Sequence, residues 1–301
     1  MDVAITGSTG LIGSALMEHL LADGHRVMRV VRRTPTNSDE MQWDPAAGSI
    51  DAGALEGIEV VVNLAGESIA GKKWTPEQKR RILDSRVQGT ALLAKTIADL
   101  DSKPRVLVNA SAVGVYGNRG DEELTEASAP GTGFLSDVVK EWEAAADPAQ
   151  TAGVRVVLPR TGIVLSPVGG VLKQMLLPFK LGIGGRIASG QQYMSWISLT
   201  DEIRALRYLI DTDTMSGPVN LTGPTPVTNA EYTKTLGEVL HRPTLLPTPL
   251  FPLKALYGGE LVEELLVDGQ RVLPKVLETA GFTFEHASLE AALRAELGRP
   301  A

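Results

Sequence analysis

The chain has 301 residues, enough to bury a substantial core as one large domain or two unequal ones. A formal net charge of −7 excludes a general attraction to nucleic acid or anionic lipid, and the absence of cysteine excludes disulfides, thiolate metal sites and a catalytic thiol. The four histidines (His19, His25, His241, His286) lack metal-ligand spacing, so no metal is expected. The chain shows neither a basic-then-apolar leader nor the ~20 apolar residues of a membrane span, which leads to the expectation of a cytoplasmic protein without membrane or nucleic-acid partners.

In chain order, Val3-Ala4-Ile5 reads as a short buried strand, and residues 11–22 have helical spacing with Leu16, Leu20 and Leu21 on one side. Residues 26–31 form a second strand and Val60-Val61-Val62-Asn63-Leu64 a third. Pro76 opens a long helix running towards Asp99. Val106-Leu107-Val108 is a fourth strand, residues 140–146 lie in a helix, and residues 154–158 form a fifth strand. Apolar strands alternating with helices predict an α/β fold, a doubly wound parallel Rossmann sheet over residues 1–166. From Pro167 glycine and proline become frequent, which predicts a smaller, mainly helical substrate-side lobe over 167–301. Val219-Asn220-Leu221 is expected to return to the sheet, with helices over 231–240, 256–266, 273–279 and 288–297. Residues 242–252 carry four prolines and read as an extended connector.

Gly7-Ser8-Thr9-Gly10-Leu11-Ile12-Gly13 lies directly between the first strand and the first helix. Such a turn needs glycine where φ is positive or where the backbone must approach a pyrophosphate, and the helix start presents N–H groups and its positive dipole end. The strand–turn–helix context marks it as a dinucleotide site. At the end of the second strand, Arg32 stands nineteen residues past Gly13 with Arg33 next to it, and there is no acid before Asp39. A guanidinium suits a ribose 2′-phosphate, whereas an acid suits a 2′-hydroxyl, so NADP(H) is the expected cofactor. Asn63-Leu64-Ala65-Gly66 ends the third strand, where small residues let the backbone pass the adenine and ribose closely. Glu67 is a candidate for a ribose hydroxyl or a plain surface glutamate. Arg86 either reaches the cofactor from the long helix or faces solvent.

GSTGLIG, NLAGE and NASAVGVYG together resemble the extended short-chain dehydrogenase/reductase superfamily. WTPEQKRRILDSRVQGT, FLSDVVKEWEAAA and LLPFKLGIGGRIASGQQYMSWISLTDEI resemble its epimerase-like branch formerly described as SulA homologues, which carries a small C-terminal domain similar to residues 242–297 here. The resemblance implies an NADP-binding Rossmann domain and an epimerase or oxidoreductase acting on a small polar substrate, with a nucleotide sugar as the candidate. Carried over, it places Gly7, Thr9, Gly10, Leu11, Ile12 and Gly13 in the cofactor turn, Arg32 and Arg33 at the 2′-phosphate, and Leu64 and Ala65 on the adenine side. Arg86 falls where the branch has an arginine.

The catalytic half departs from the superfamily pattern of a serine or threonine followed by Tyr-x-x-x-Lys, in which the tyrosine is general acid/base. Ala112 takes the serine position with Ser111 one residue early, and Leu135 and Val139 take the tyrosine and lysine positions. A shift of one residue gives Ser136 and Lys140. Ser111, Tyr116 and Lys140 are therefore the candidate catalytic residues, although for Ser111 a buried hydroxyl bonding backbone groups is the favoured role over a nucleophile. Three outcomes stay open: Tyr116 supplies the phenol, Glu67 or another carboxylate acts as acid/base, or the chain is a non-catalytic NADP-binding regulator. On the substrate side, Arg186 and Gln191 are candidates to hold a diphosphate or sugar, and Trp196 either lines the substrate segment or packs in the core. Asp201 reads as part of a helix cap.

Overall fold

Residues 1–300 are described by a computed structural model. The strands are β1 (Asp2–Thr6), β2 (Arg26–Val31), β3 (Glu40–Asp44), β4 (Ser49–Ile50), β5 (Val60–Asn63), β6 (Val106–Asn109), β7 (Ser111–Ala112) and β8 (Glu123–Leu124). They continue as β9 (Arg155–Thr161), β10 (Ile163–Leu165), β11 (Tyr193–Met194), β12 (Trp196–Ser198), β13 (Gly217–Leu221), β14 (Val227–Thr228) and β15 (Arg271–Val272). The helices are α1 (Leu11–Ala22), α2 (Pro76–Asp99), α3 (Phe134–Ala144), α4 (Asp147–Thr151), α5 (Gly170–Lys180) and α6 (Leu199–Asp211). After these come α7 (Asn229–Leu240), α8 (Leu250–Tyr257), α9 (Gly259–Val262), α10 (Lys275–Thr279) and α11 (Leu289–Glu296).

The central sheet runs β13-β9-β6-β5-β1-β2-β3-β4, parallel throughout except for the β3–β4 hairpin. From β1 the chain winds outward through β2 and β3, then returns to lay β5 on the other side of β1. That reversal makes the doubly wound Rossmann sheet and opens a crevice beyond the carboxyl ends of β1 and β5. Alternate residues of each strand serve opposite faces. Val3, Ile5, Val60, Val62 and Val108 pack against Leu16 and Leu20 of α1 and Leu206 and Leu209 of α6. Ala4, Val61 and Leu107 pack against Leu93, Ala94 and Ile97 of α2. Both faces are covered, which is why the strands read as unbroken apolar runs.

Several local signals act as their chemistry requires. Pro76 starts α2, where its missing N–H costs nothing, and the Thr75 side chain accepts from the Gln78 N–H. Ser198 caps α6, its hydroxyl accepting from the Asp201 N–H at 3.1 Å. Strand β3 had no counterpart in the sequence reading. Its Met41-Gln42-Trp43-Asp44 alternates strictly, with Met41 and Trp43 buried. Helix α5 was hidden behind flanking glycines and its internal Pro178. The helix expected over 256–266 is instead broken at Gly258, whose φ of +92° favours glycine, into α8, α9 and a π-helical turn at Glu263–Val267. No helix among the described residues is long and apolar enough to cross a membrane.

The C-terminal region is fastened to the sheet domain at several points. Strand β15 pairs with β8, α10 packs against β13 of the central sheet, and Leu261 of α9 joins a cluster with Trp74, Ile82 of α2 and Val138 of α3. This last contact carries α9 and the π-turn over the start of α3, beside the crevice.

Candidate active site

The glycine turn closes tightly on itself. Gly7 has φ +66°, and a Cβ there would lie 2.7 Å from the Leu64 carbonyl carbon. A Cβ on Gly13 would lie 2.3 Å from the Gly7 oxygen, so neither position accepts a side chain without moving backbone. The Gly10 N–H donates to the Gly7 carbonyl at 2.9 Å, and Gly10 is the N-cap of α1. Thr9 and Gly10 are exposed at the crevice side, Ile12 packs on the sheet, and Leu11 borders a cavity further along.

Beneath the turn lies a saturated network of buried polar groups. Thr6 Oγ1 donates to Asn63 Oδ1 at 2.6 Å and accepts from the backbone N–H groups of Leu64 and Ala65. Asn63 Nδ2 donates to Thr90 and to Asn109 Oδ1. Thr90 also accepts from the Trp142 indole. Every member is paired, so the network ties the ends of β1, β5 and β6 to α2 and α3 and fixes Leu64 and Ala65 at the crevice.

At the end of β2 the two arginines separate in role. Arg33 makes a two-pronged pair with Glu40, whose carboxylate also accepts from Arg29 and from the Thr36 N–H and hydroxyl. Arg33 and the Thr36 groups hold the Glu40 carboxyl down at about 2. Arg29, not singled out from the sequence, also reaches Ser8 of the glycine turn at 3.2 Å. Arg32 is exposed and makes no ion pair among the described residues.

Glu67 is occupied by Lys72 and Gln78, while its backbone carbonyl accepts from Arg86 at 2.9 Å. Arg86 also donates to the Ile82 carbonyl and lies over the Trp142 ring at 5.1 Å. No carboxylate pairs with it, and burial lowers its guanidinium to about 10. Gly66 permits this approach, since a Cβ there would meet the Arg86 guanidinium carbon at 3.1 Å. An interior cation bonded only to carbonyls and an aromatic face leaves a place for an anion.

The three catalytic candidates do not converge. Tyr116 is fully buried, its hydroxyl donating to Asn220 Oδ1 at 2.7 Å and accepting from Arg160 at 3.0 Å, and burial raises the phenol. Ser111 donates to Glu143, which holds Arg160 through two bonds of 2.8 Å. Lys140 lies on the outer face of α3, paired with Asp137 at 2.6 Å. None of the three borders the cavity, and of the open outcomes the one in which Tyr116 supplies the phenol is corrected, since the Asn220–Arg160 clamp holds the phenol away from it. The residues at the superfamily's serine, tyrosine and lysine positions, Ala112, Leu135 and Val139, do border it, and all are apolar.

That cavity, about 620 Å³, extends from Leu11 and Gly162 between α3 and α5 to the C-terminal segment. The substrate candidates need correction as well. Arg186 bonds the carbonyls of Ala188 and Ser189 in its own turn, Gln191 is exposed, and Trp196 is a fully buried core residue whose indole donates to the Thr225 carbonyl. Their neighbours Ile187, Gln192, Tyr193 and Met194 border the cavity instead. The sequence reading also missed Leu261, Glu264, Leu265 and Asp268, because nothing in a local pattern says that a C-terminal helix folds back over α3. No group of three or more His, Asp or Glu side chains suited to a metal occurs among the described residues.

The reversed strand order, the glycine turn at the switch point and the adjoining cavity define a Rossmann protein of the extended dehydrogenase type. The chain belongs to the NAD dependent epimerase/dehydratase family, whose model matches residues 3–221, and a domain of unknown function (DUF1731) matches residues 248–296. It is 49% identical over 298 residues to the epimerase family protein Mb2239 of Mycobacterium bovis, covering 99% of this chain and 98% of that one. Among solved structures, the human epimerase family protein SDR39U1 with NADPH is 34% identical, with a TM-score of 0.89 and 99% of both chains covered. The nucleoside-diphosphate sugar epimerase from Corynebacterium glutamicum is 37% identical with a TM-score of 0.81, covering 99% of this chain and 58% of that chain.

Proposed function

We propose that the protein binds NADP(H) across the glycine turn and carries out an oxidoreductase or epimerase-type hydride transfer on a small molecule in the adjoining cavity. The observation that carries the reading is the match between donors and a phosphorylated dinucleotide. Gly7 and Gly13 of the turn admit no Cβ, the start of α1 is open beside it, Arg32 is exposed and unpaired just past the end of β2, and Arg86 lacks a carboxylate partner. The related human protein is described with NADPH, which agrees with this donor set.

When bound, the cofactor supplies or accepts the hydride. The chain's own residues then have distinct tasks. Gly7, Gly10 and Gly13 let the turn and its N–H groups approach a pyrophosphate. Arg32 takes a 2′-phosphate, while the Arg33–Glu40 pair holds the loop that presents it. Leu64 and Ala65, fixed by Thr6, flank the adenine side. Arg86 neutralises a phosphate or ribose-side oxygen from behind Gly66. Ala112, Leu135 and Val139 keep water away from the reacting end of the cavity.

A second reading, a non-catalytic NADP-binding regulator, is favoured by those same three apolar residues standing where the superfamily carries its proton-transfer groups. Absorbance at 340 nm in the presence of NADPH and a panel of carbonyl compounds separates the two. Steady oxidation of NADPH at micromolar protein supports the enzyme, and protein that binds NADPH yet turns over no member of the panel supports the regulator.

A further inference from the structure

We propose that the inner part of the cavity takes an uncharged, mainly apolar molecule bearing a carbonyl or hydroxyl, and that it is not a nucleoside-diphosphate sugar site. The inference rests on the assignment of the neighbouring crevice to NADP(H) and concerns what lies beyond it.

The first ground is the placement of cations. Arg86 is the one lysine or arginine on the cavity wall among the described residues, and it stands at the Gly66 side with its guanidinium turned to the Glu67 and Ile82 carbonyls. Arg186, the residue best placed by sequence to hold a diphosphate, is folded onto its own turn at 2.7 Å and 3.1 Å from two carbonyls. A diphosphate in an interior site needs cations beside any free N–H groups; the uncapped start of α5 at Gly170 and Val171 borders the cavity and offers N–H groups, but no lysine or arginine other than Arg86 lines the wall to accompany them.

The second ground is the sign of the field. Glu264 and Asp268, both from the C-terminal segment, border the cavity. Glu264 accepts from the backbone N–H groups of Phe134 and Leu135, each at 2.9 Å, so the start of α3 is already filled by the protein's own carboxylate. Asp268 accepts from Asn118 through one oxygen at 2.7 Å, and burial together with Glu263 and Glu264 raises its carboxyl. A second anion there meets repulsion.

The third ground is the surface itself. Leu135, Val139, Ile187, Met194, Leu261 and Leu265 supply apolar wall, and apart from Arg86, Glu264 and Asp268 the polar residues between them, such as Ser136, Gln174 and Asn229, are uncharged. The whole cavity, cofactor side included, is about 620 Å³, within the usual range of ~300–1,000 Å³ for small-molecule sites, so the part left beyond a bound cofactor suits a small molecule. An apolar body with one or two polar atoms matches such a wall, and a charged glycosyl nucleotide does not.

The test is isothermal titration calorimetry on the full chain, first with NADP⁺ alone and then, at saturating NADP⁺, with 2-decanone and separately with UDP-glucose. NADP⁺ binding decides the underlying cofactor assignment by itself. Given that binding, the proposal expects 2-decanone to bind at least about tenfold more tightly than UDP-glucose. Leu265→Trp, or the milder Leu265→Phe, should weaken 2-decanone binding at least about tenfold while leaving the NADP⁺ affinity unchanged, which also certifies the fold. Comparable or tighter UDP-glucose binding overturns the proposal. So does the absence of 2-decanone binding to NADP⁺-loaded protein, or 2-decanone binding indifferent to both Leu265 variants.

Discussion

Replacing Glu202 by glutamine should stabilise the protein at neutral pH, by an amount that grows with pH. The Glu202 side chain is buried in the first turn of α6, with one oxygen accepting from Thr161 Oγ1 at 2.9 Å and the other without a partner. Burial pushes its carboxyl up to about 8, from 4.5 in the unfolded chain. Between those values the folded protein holds a proton that the unfolded chain releases, so Glu202 makes stability fall as pH rises through this window and level off above it. At pH 7 the gap is about 2.5 pH units at ~1.4 kcal/mol each, a cost of roughly 3 kcal/mol. Glu202→Gln keeps the acceptor for Thr161 and abolishes the titration. Urea denaturation of parent and variant at pH 4, 7 and 9 measures the difference. It should be small at pH 4, about 3 kcal/mol in favour of the variant at pH 7, and larger at pH 9. A difference that does not change between pH 4 and pH 9 refutes the reasoning.

Gly13→Ala places a methyl 2.3 Å from the Gly7 carbonyl, so it should cost about 1–3 kcal/mol of stability and abolish NADP⁺ binding in calorimetry. Arg86→Met removes an interior cation with no carboxylate partner; denaturation should show a loss no greater than about 1.5 kcal/mol, while NADPH affinity falls by an order of magnitude or more. Tyr116→Phe deletes a hydroxyl that bonds Asn220 and Arg160, so the variant should lose about 1–3 kcal/mol in chemical denaturation with NADPH affinity unchanged. Lys140→Ala, on the outer face of α3, should leave both stability and NADPH affinity within experimental scatter of the parent.

The parts of the molecule written in local chemistry were readable from the sequence. The valine-rich strands are buried on both sides, the glycine turn sits between a strand and a helix, and Pro76 starts its helix, so pattern and structure agree there. Strand β3 was equally legible in the alternation of Met41 and Trp43, but its polar partners Gln42 and Asp44 disguised it as a loop. The candidate site divides along the same line. Which arginine is left unpaired depends on Glu40, seven residues beyond Arg33 and on a different strand. The retreat of Tyr116 depends on Asn220 and Arg160, and Trp196 is drawn into the core by contacts with distant helices. The wall supplied by Glu264, Leu265 and Asp268 arises from long-range packing of the C-terminal segment on α3, which no spacing in the sequence encodes.

If Arg32 and the glycine turn bind as proposed, the protein selects a 2′-phosphorylated dinucleotide. Calorimetric titration of NADPH and NADH into the parent protein and into Arg32→Ala tests it most directly. NADPH should bind the parent at least about tenfold more tightly than NADH, with most of that preference lost in the variant. NADH binding as tight as NADPH in the parent, or a preference untouched by Arg32→Ala, would contradict it.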